Sequence, residues 1–241
     1  MGALHQGHVS LLSTSARDND CTVLSIYVNA TQFNDPGDLA KYPSTLEADL
    51  EAAENAGVDV VLLPDYGQMY RDDFRFQLNE NDFSNRLCGR DRPGHFAGVL
   101  TVVMKLLNLV RPDKAYFGLK DFQQYTLIKD MCDTFFFPTE IVGCPIVREA
   151  DGLAMSSRNR LLDREGRQLA SRFNVLLANA STDEGAQRAL QSAGFQVAYV
   201  ETLGARRCAA VVLGQGDAAI RLIDNVPLGS DLQHTPIAGV A

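Results

Sequence analysis

The sequence predicts an α/β protein, with a doubly wound parallel sheet over residues 1–150 and a smaller α+β domain over 151–241. Three observations predict it. Short β-branched runs alternate with helical stretches through the first 150 residues, as βαβ crossovers require. Near 145–160 the texture changes, and Ala-rich helical stretches then precede three strand-like runs. A chain of 241 residues with 46% hydrophobic and 22% charged side chains can bury a large core, which excludes disordered and fibrous classes.

Each element has its own signal. His5-Gln6-Gly7-His8 runs directly into a helix carrying Val9, Leu11 and Leu12. Thr22–Val28 and Val58–Leu63 read as strands, and between them Ser44 and Glu47 form a capping box opening a helix that Gly57 closes. Val99, Val102, Val103, Leu106, Leu107 and Val110 repeat at helical spacing and stop before Pro112. Lys114–Phe117 is the next strand. Asp121 with Gln124 reads as a cap on a helix of Leu127, Ile128 and Met131, and Thr139–Val142 follows as a strand. In the second domain Arg164–Ala180 and Asp183–Ala193 read as helices, the latter ended by Gly194. Gln196–Thr202, Ala209–Leu213 and Ala219–Ile223 read as strands.

Charge and cysteine content narrow the function. The chain holds 22 basic and 30 acidic side chains, a net −8, with 13 basic and 21 acidic in residues 1–150. A duplex-binding surface carries a basic excess, so nucleic acid is not expected, and any phosphate must be met by a few local donors. Val99–Val110 is interrupted by Lys105 and is too short for a membrane span. The first residues have neither the basic flank nor the apolar stretch of a signal peptide. Cysteines 21, 88, 132, 144 and 208 are odd in number and contain no CxxC, the pattern of reduced thiols in a cytoplasmic protein. His95 and His234 are the only other histidines and no HExxH exists, so no metal site is expected.

Four local signals suggest chemistry. His5 and His8 flank a glycine at a helix start, where open N–H groups favour an anion and imidazoles can donate to phosphate; two solvated or capping histidines is the blander account. Gly118-Leu119-Lys120-Asp121 follows a strand, at the sheet edge where such folds bind ligands, although taken alone a solvated Lys120 beside a capping Asp121 is the more ordinary account. Met155-Ser156-Ser157-Arg158 offers two hydroxyls and a guanidinium for a phosphate, or a Ser-rich surface turn. Asn29 and Gln32 stand at a strand end as neutral amides for a small polar substrate, or as turn residues.

The order of these signals is specific where each alone is not. The stretches MGALHQGH, SIYVNATQFN, DLAKYPSTLEADL, RPGHFAGVLTVVMKLLNLVRPDKAYFGLKDFQQ, VREADGLAMSSRN and RLIDN together resemble the pantothenate synthetases, ATP-dependent ligases joining pantoate to β-alanine. The resemblance implies a Rossmann-like domain of the HxGH nucleotidylyltransferase type, with a C-terminal lid domain. It implies ATP contacts at Met1, Gly2, His5 and His8, at Gly118, Leu119, Lys120 and Asp121, and at Val147, Met155, Ser156, Ser157 and Arg158. His8 matches the residue usually assigned as proton donor, and the Ser156–Arg158 loop matches the KMSKS loop of class I aminoacyl-tRNA synthetases. Gln32 and Gln124 match the pantoate contacts, and Asn29 and Arg92 match residues lining the same cavity. Catalysis is implied for His5, His8, Lys120, Ser156, Ser157 and Arg158, with Mg²⁺ on the ATP phosphates, small-molecule substrates only and a homodimer.

Departures and rivals accompany this resemblance. Ala30 and Arg71 stand where the family usually has proline, the former loosening the Asn29–Gln32 strand end, and Leu119 replaces a frequent glutamate. Other readings are another HxGH nucleotidylyltransferase, a tRNA-charging synthetase, or a non-catalytic remnant. In the family the ATP loop follows the first, central sheet strand, whereas here Met1 is the motif methionine. The resemblance therefore implies that this strand is absent, through an upstream start or a fragment. The expected consequences are a gap beside residues 22–28 and 114–117, low stability and weak activity.

Overall fold

Residues 2–34, 36–40, 42, 45–216 and 219–229 are described by a computed structural model. They form two compact units, Met1–Arg160 and Leu161–Ala241. No helix among the described residues is long and apolar enough to cross a membrane.

The first unit begins with helix α1 (Gln6–Asp18), whose Leu12 is buried. At its end the Asn19 amide donates to Ser15 O and to the Tyr116 hydroxyl, both at 2.8 Å, tying the helix to the strand that carries Tyr116. Strand β1 (Val23–Ser25) is shorter than the expected 22–28, and a 3-10 turn over Ala30–Gln32 takes up the chain beyond it. Helix α2 (Pro36–Ala40) and helix α3 (Leu46–Asn55) follow. The expected capping Ser44 lies outside the described residues; Thr45 is the N-cap and makes no side-chain cap bond. Gly57 closes α3 at φ 83, a left-handed conformation that costs glycine least.

Strand β2 (Val60–Leu62) pairs in parallel with β1, Leu24 opposite Val61. The short helices α4 (Tyr66–Met69) and α5 (Leu87–Asp91) lead to the long α6 (His95–Val110), strand β3 (Lys114–Gly118), helix α7 (Phe122–Thr134) and strand β4 (Glu140–Cys144). The β3–β4 pair is also parallel, with Tyr116 opposite Val142. The apolar spacing that marked α6 is what buries it: Phe96, Val99, Leu100 and Leu107 pack with Leu127, Ile128, Met131 and Cys132 of α7. Each such side chain contributes about 1.5–3 kcal/mol when fully buried, so this seam is the main adhesive of the unit.

One sheet was expected and two appear. Among the described residues, β1–β2 and β3–β4 are separate two-stranded sheets. Val23 and Val60, paired at the start of the two strands, are 38% and 50% exposed.

The second unit is α+β. The expected single helix 164–180 is two, α8 (Arg164–Ala170) and α9 (Phe173–Asn179), because the chain tightens where Arg172 N–H bonds Leu169 O and then restarts with Phe173 and Leu177 buried. Helix α10 (Asp183–Ala193) is capped by Thr182, whose hydroxyl accepts Gly185 N–H at 3.0 Å, and ends at Gly194. Strands β5 (Gln196–Leu203), β6 (Arg206–Leu213) and β7 (Ile220–Pro227) form an antiparallel sheet in that order. The buried Arg207 donates to Asp183 Oδ1 at 2.8 Å and to Leu177 O at 3.1 Å, so its charge is paired and hydrogen-bonded.

Candidate active site

The two histidines of the first loop cap the helix they precede. Gly7 N–H donates to His5 Nδ1 at 3.1 Å, and His5 N–H donates to His8 Nδ1 at 3.3 Å. The rings stack with centroids 4.0 Å apart. The His5 and Gly7 amides are thus taken by the imidazoles, which reach them from N-cap and third helical positions.

This capping sets the tautomers. An Nδ1 that accepts a hydrogen bond carries no proton, so each neutral ring holds its proton on Nε2. Burial, then the charges of Lys120 and Arg160, lower the His5 pKa; burial, then His5, lower His8 to about 4. Both side chains are therefore neutral Nε2–H donors at neutral pH. As pH falls from the ordinary histidine value of 6.5 toward about 4, the unfolded chain takes up protons before folded His8 does. Stability contributed by this group is full above that window and is lost as pH descends through it. Histidine nitrogen spectra at pH 7 are expected to show both rings as neutral Nε2–H tautomers; doubly protonated rings at that pH would contradict the assignment.

The backbone before the histidines is held by a residue the motif reading did not single out. Ala3 and Leu4 N–H donate to Asp49 Oδ2 and Oδ1 at 2.8 and 2.7 Å, and Asp49 is 3% exposed. Gly2 (φ 88) and Ala3 (φ 51) are both left-handed, and a Cβ on Gly2 would sit 3.1 Å from Asp49 Oδ2. Met1 lies outside the described residues.

Two further strand-end segments approach this loop. Gly118 ends β3, and a 3-10 turn over Leu119–Asp121 carries Lys120 and Asp121. Lys120 depresses the proton affinity of both histidines and Asp121 raises it, so both charges act at the rings. Leu119 packs on β4: a Cβ at Gly143 would meet its Cδ2 at 2.8 Å. After β4 the chain makes a hairpin in which Met155 N–H donates to Val147 O at 3.0 Å and Glu149 N–H to Leu153 O at 2.8 Å. The hairpin delivers Ser156, Ser157 and Arg158 to a 3-10 turn over Ser157–Leu161, where Arg158 N–H bonds Ser156 Oγ at 3.3 Å. Asn159 pins that turn, its amide donating to Glu149 Oε1 at 2.6 Å and Ala154 O at 3.0 Å. A Cβ on Gly7 would lie 3.6 Å from Met155 Cβ, so hairpin and histidine loop are in contact. This hairpin keeps residues 151–160 in the first compact unit, whose limit falls after Arg160, where the sequence put it at 150.

The amide-bearing segment is packed against α6. A Cβ on Gly98 would lie 2.6 Å from Thr31 O, so only glycine admits this approach. Arg92 Nη1 contacts His95 Nε2 at 3.2 Å and Arg92 Nη2 donates to Gln32 O at 3.2 Å. A guanidinium only donates, so His95 Nε2 accepts and its Nδ1–H donates to Gln32 O at 2.8 Å. Burial, then Arg92, lowers His95 to about 4, which keeps that ring neutral. Asn29 is bonded on all sides, so alanine at position 30 leaves this turn held.

Gln124 is half-buried near the start of α7, and the expected cap with Asp121 is not made: Asp121 stands at the N-cap without a side-chain bond, because the 3-10 turn already leads into the helix. Its neighbour Gln123 has the structural role instead. Gln123 donates to Phe83 O and Arg86 O, both at 2.8 Å, and accepts Cys88 N–H at 3.0 Å, fixing the loop before α6.

A family model described as pantoate-beta-alanine ligase matches residues 1–227. A pantothenate synthetase of Bdellovibrio bacteriovorus is 52% identical over 228 residues, 95% of this chain and 89% of that protein. One of Legionella pneumophila is 46% identical over 225 residues, 93% of this chain and 88% of that protein. Among solved structures, a pantoate-beta-alanine ligase from Francisella tularensis complexed with beta-gamma ATP and beta-alanine superposes with a TM-score of 0.86 at 38% identity, covering 94% of this chain and 87% of that one. A pantothenate synthetase from Thermus thermophilus gives the same TM-score at 36% identity, covering 94% and 90%. With the match running from the histidine loop through the last described strand, the chain belongs to the pantoate–β-alanine ligase family.

Proposed function

We infer that the chain condenses pantoate with β-alanine at the expense of ATP, through a pantoyl adenylate. The observation that carries this reading is the pair of neutral Nε2–H histidines beside the Lys120 charge, at the ends of strands. A pantoate carboxylate oxygen attacks the α-phosphorus, and the bond to the β-phosphate oxygen breaks as pyrophosphate leaves. The β-alanine amine then attacks the acyl carbon, the carboxyl C–O bond to AMP breaks, and the amine loses a proton. Positioning and charge neutralisation supply most of the acceleration in such a transfer. His5 and His8 donate hydrogen bonds to phosphate oxygens, and Lys120 and Arg158 supply positive charge. In this reading His8 donates a hydrogen bond and retains its proton.

The remaining assignments belong to the same reading. Gly118, Leu119, Val147 and Met155 contribute backbone and packing around the nucleotide, with Ser156 and Ser157 as phosphate donors. Mg²⁺ arrives on the phosphates as part of the ATP substrate. Mg²⁺ is commonly held through substrate phosphates together with one or two carboxylates. A homodimer and a cytoplasmic location, implied by the resemblance, complete it.

Gln32 and Gln124 hold the pantoate oxygens. Gln124→Met is expected to raise the pantoate KM more than about tenfold, as loss of a substrate hydrogen bond does, with the melting temperature unchanged. A melting shift with unchanged KM would assign Gln124 to the fold. The activity is tested by incubating the protein with ATP, pantoate and β-alanine and measuring pantothenate and AMP. Equal yields that require all three substrates support the reading; ATP cleavage indifferent to pantoate refutes it.

A further inference from the structure

Asn29 is 1% exposed, and every hydrogen-bonding position of its side chain is used inside the protein. Nδ2 donates to Gly98 O at 3.2 Å and to Gln32 Oε1 at 3.1 Å. Oδ1 accepts from the Tyr70 hydroxyl at 2.8 Å and the Thr31 hydroxyl at 3.0 Å.

This arrangement has one polarity. A carbonyl only accepts, so the atom facing Gly98 O has to be the amide nitrogen. Oδ1 then faces the two hydroxyls, and the second N–H of Asn29 points at Gln32. An N–H donor can be met only by the oxygen of the Gln32 amide, which turns Nε2 of Gln32 to the opposite side. Tyr70, 2% exposed, is held for this task. Its ring lies 5.1 Å from Tyr66 and 5.3 Å from Phe74, with Lys105 Nζ 4.4 Å from its centroid. Lys105 is itself anchored on Met69 O at 2.8 Å.

We propose that Tyr70 and Asn29 are positioning residues that orient the Gln32 amide with its nitrogen toward the substrate, and that Asn29 touches no substrate itself. The proposal rests on the reading of Gln32 as a pantoate contact. An amide so turned presents a donor to a carboxylate or hydroxyl oxygen; the reversed amide would set one oxygen against another. Selection for an oxygen-rich acid thus begins at Tyr70, outside the segment that carries Gln32.

Tyr70→Phe tests this, because it keeps the ring and removes only the hydroxyl. The pantoate KM is expected to rise about five- to tenfold, the worth of one buried hydrogen bond, with the ATP KM unchanged. In a Gln32→Met background the same substitution should have no further effect on pantoate KM, because residues acting through one group are not additive. Asn29→Ala should behave likewise. Additive effects in that background, or an unchanged KM for Tyr70→Phe where Gln32→Met raises it strongly, would overturn the proposal alone. An unchanged pantoate KM for Gln32→Met would overturn both the proposal and the reading beneath it.

Discussion

Lys120→Ala is expected to slow adenylate formation about 10²-fold or more and to leave the melting temperature where it is. Lys120 sits on a short turn after β3, outside the packed seam of α6 and α7, so its removal takes no mass from the core. What it removes is charge. The two histidines are neutral, so in the proposed mechanism the positive field at the transferring phosphate falls to Lys120 and the arginines that follow the hairpin. A fixed cation matters most as charge moves onto departing pyrophosphate, and its loss appears in the rate rather than in ATP binding alone. Single-turnover adenylation at saturating ATP measures this. Near-normal adenylation in the variant would remove Lys120 from the mechanism.

Asp49→Ala is expected to do the opposite kind of damage, lowering both stability and rate. It leaves the Ala3 and Leu4 N–H groups without their carboxylate, at about 1–3 kcal/mol for each buried donor. Against a typical domain stability of about 5–15 kcal/mol, that is a large share. The same loss frees the left-handed Gly2–Ala3 turn that aims the histidine loop. Adenylation should therefore fall more than about tenfold even in the folded fraction, as misplacement of groups near the chemistry does. Thermal melting and single-turnover rates on the same sample separate the two effects. An unchanged melting temperature would show that water or another group satisfies those amides.

Much of this was legible in the sequence. The spacing from Val99 to Val110 marked α6 because that stripe faces α7, and the strand-like run before Gly118 marked the strand whose end is followed by Lys120. Less legible were the residues that hold the site from behind. Asp49, Tyr70, His95 and Gln123 act across 46, 41, 63 and 35 or more positions, distances at which no local motif exists. Two of them had a detectable signature. Asp49 lies on the same helical stripe as the buried Ala53, and Gln123 continues the stripe of Leu127 and Met131. A polar side chain on a buried stripe needs a partner, and both have one. Capping histidines were one of the accounts the HxxH spacing allowed; the spacing shows which side of the helix start the rings share, but not that the His5 ring would take the Gly7 N–H and the His8 ring the His5 N–H.

The central claim, that this site activates pantoate by adenylation, is tested most directly by ATP–pyrophosphate exchange without β-alanine. Labelled pyrophosphate is predicted to enter ATP only when pantoate is present, because only the adenylate can be reversed to ATP. Exchange that proceeds equally without pantoate, or no exchange from protein that is folded and binds both substrates, would contradict it.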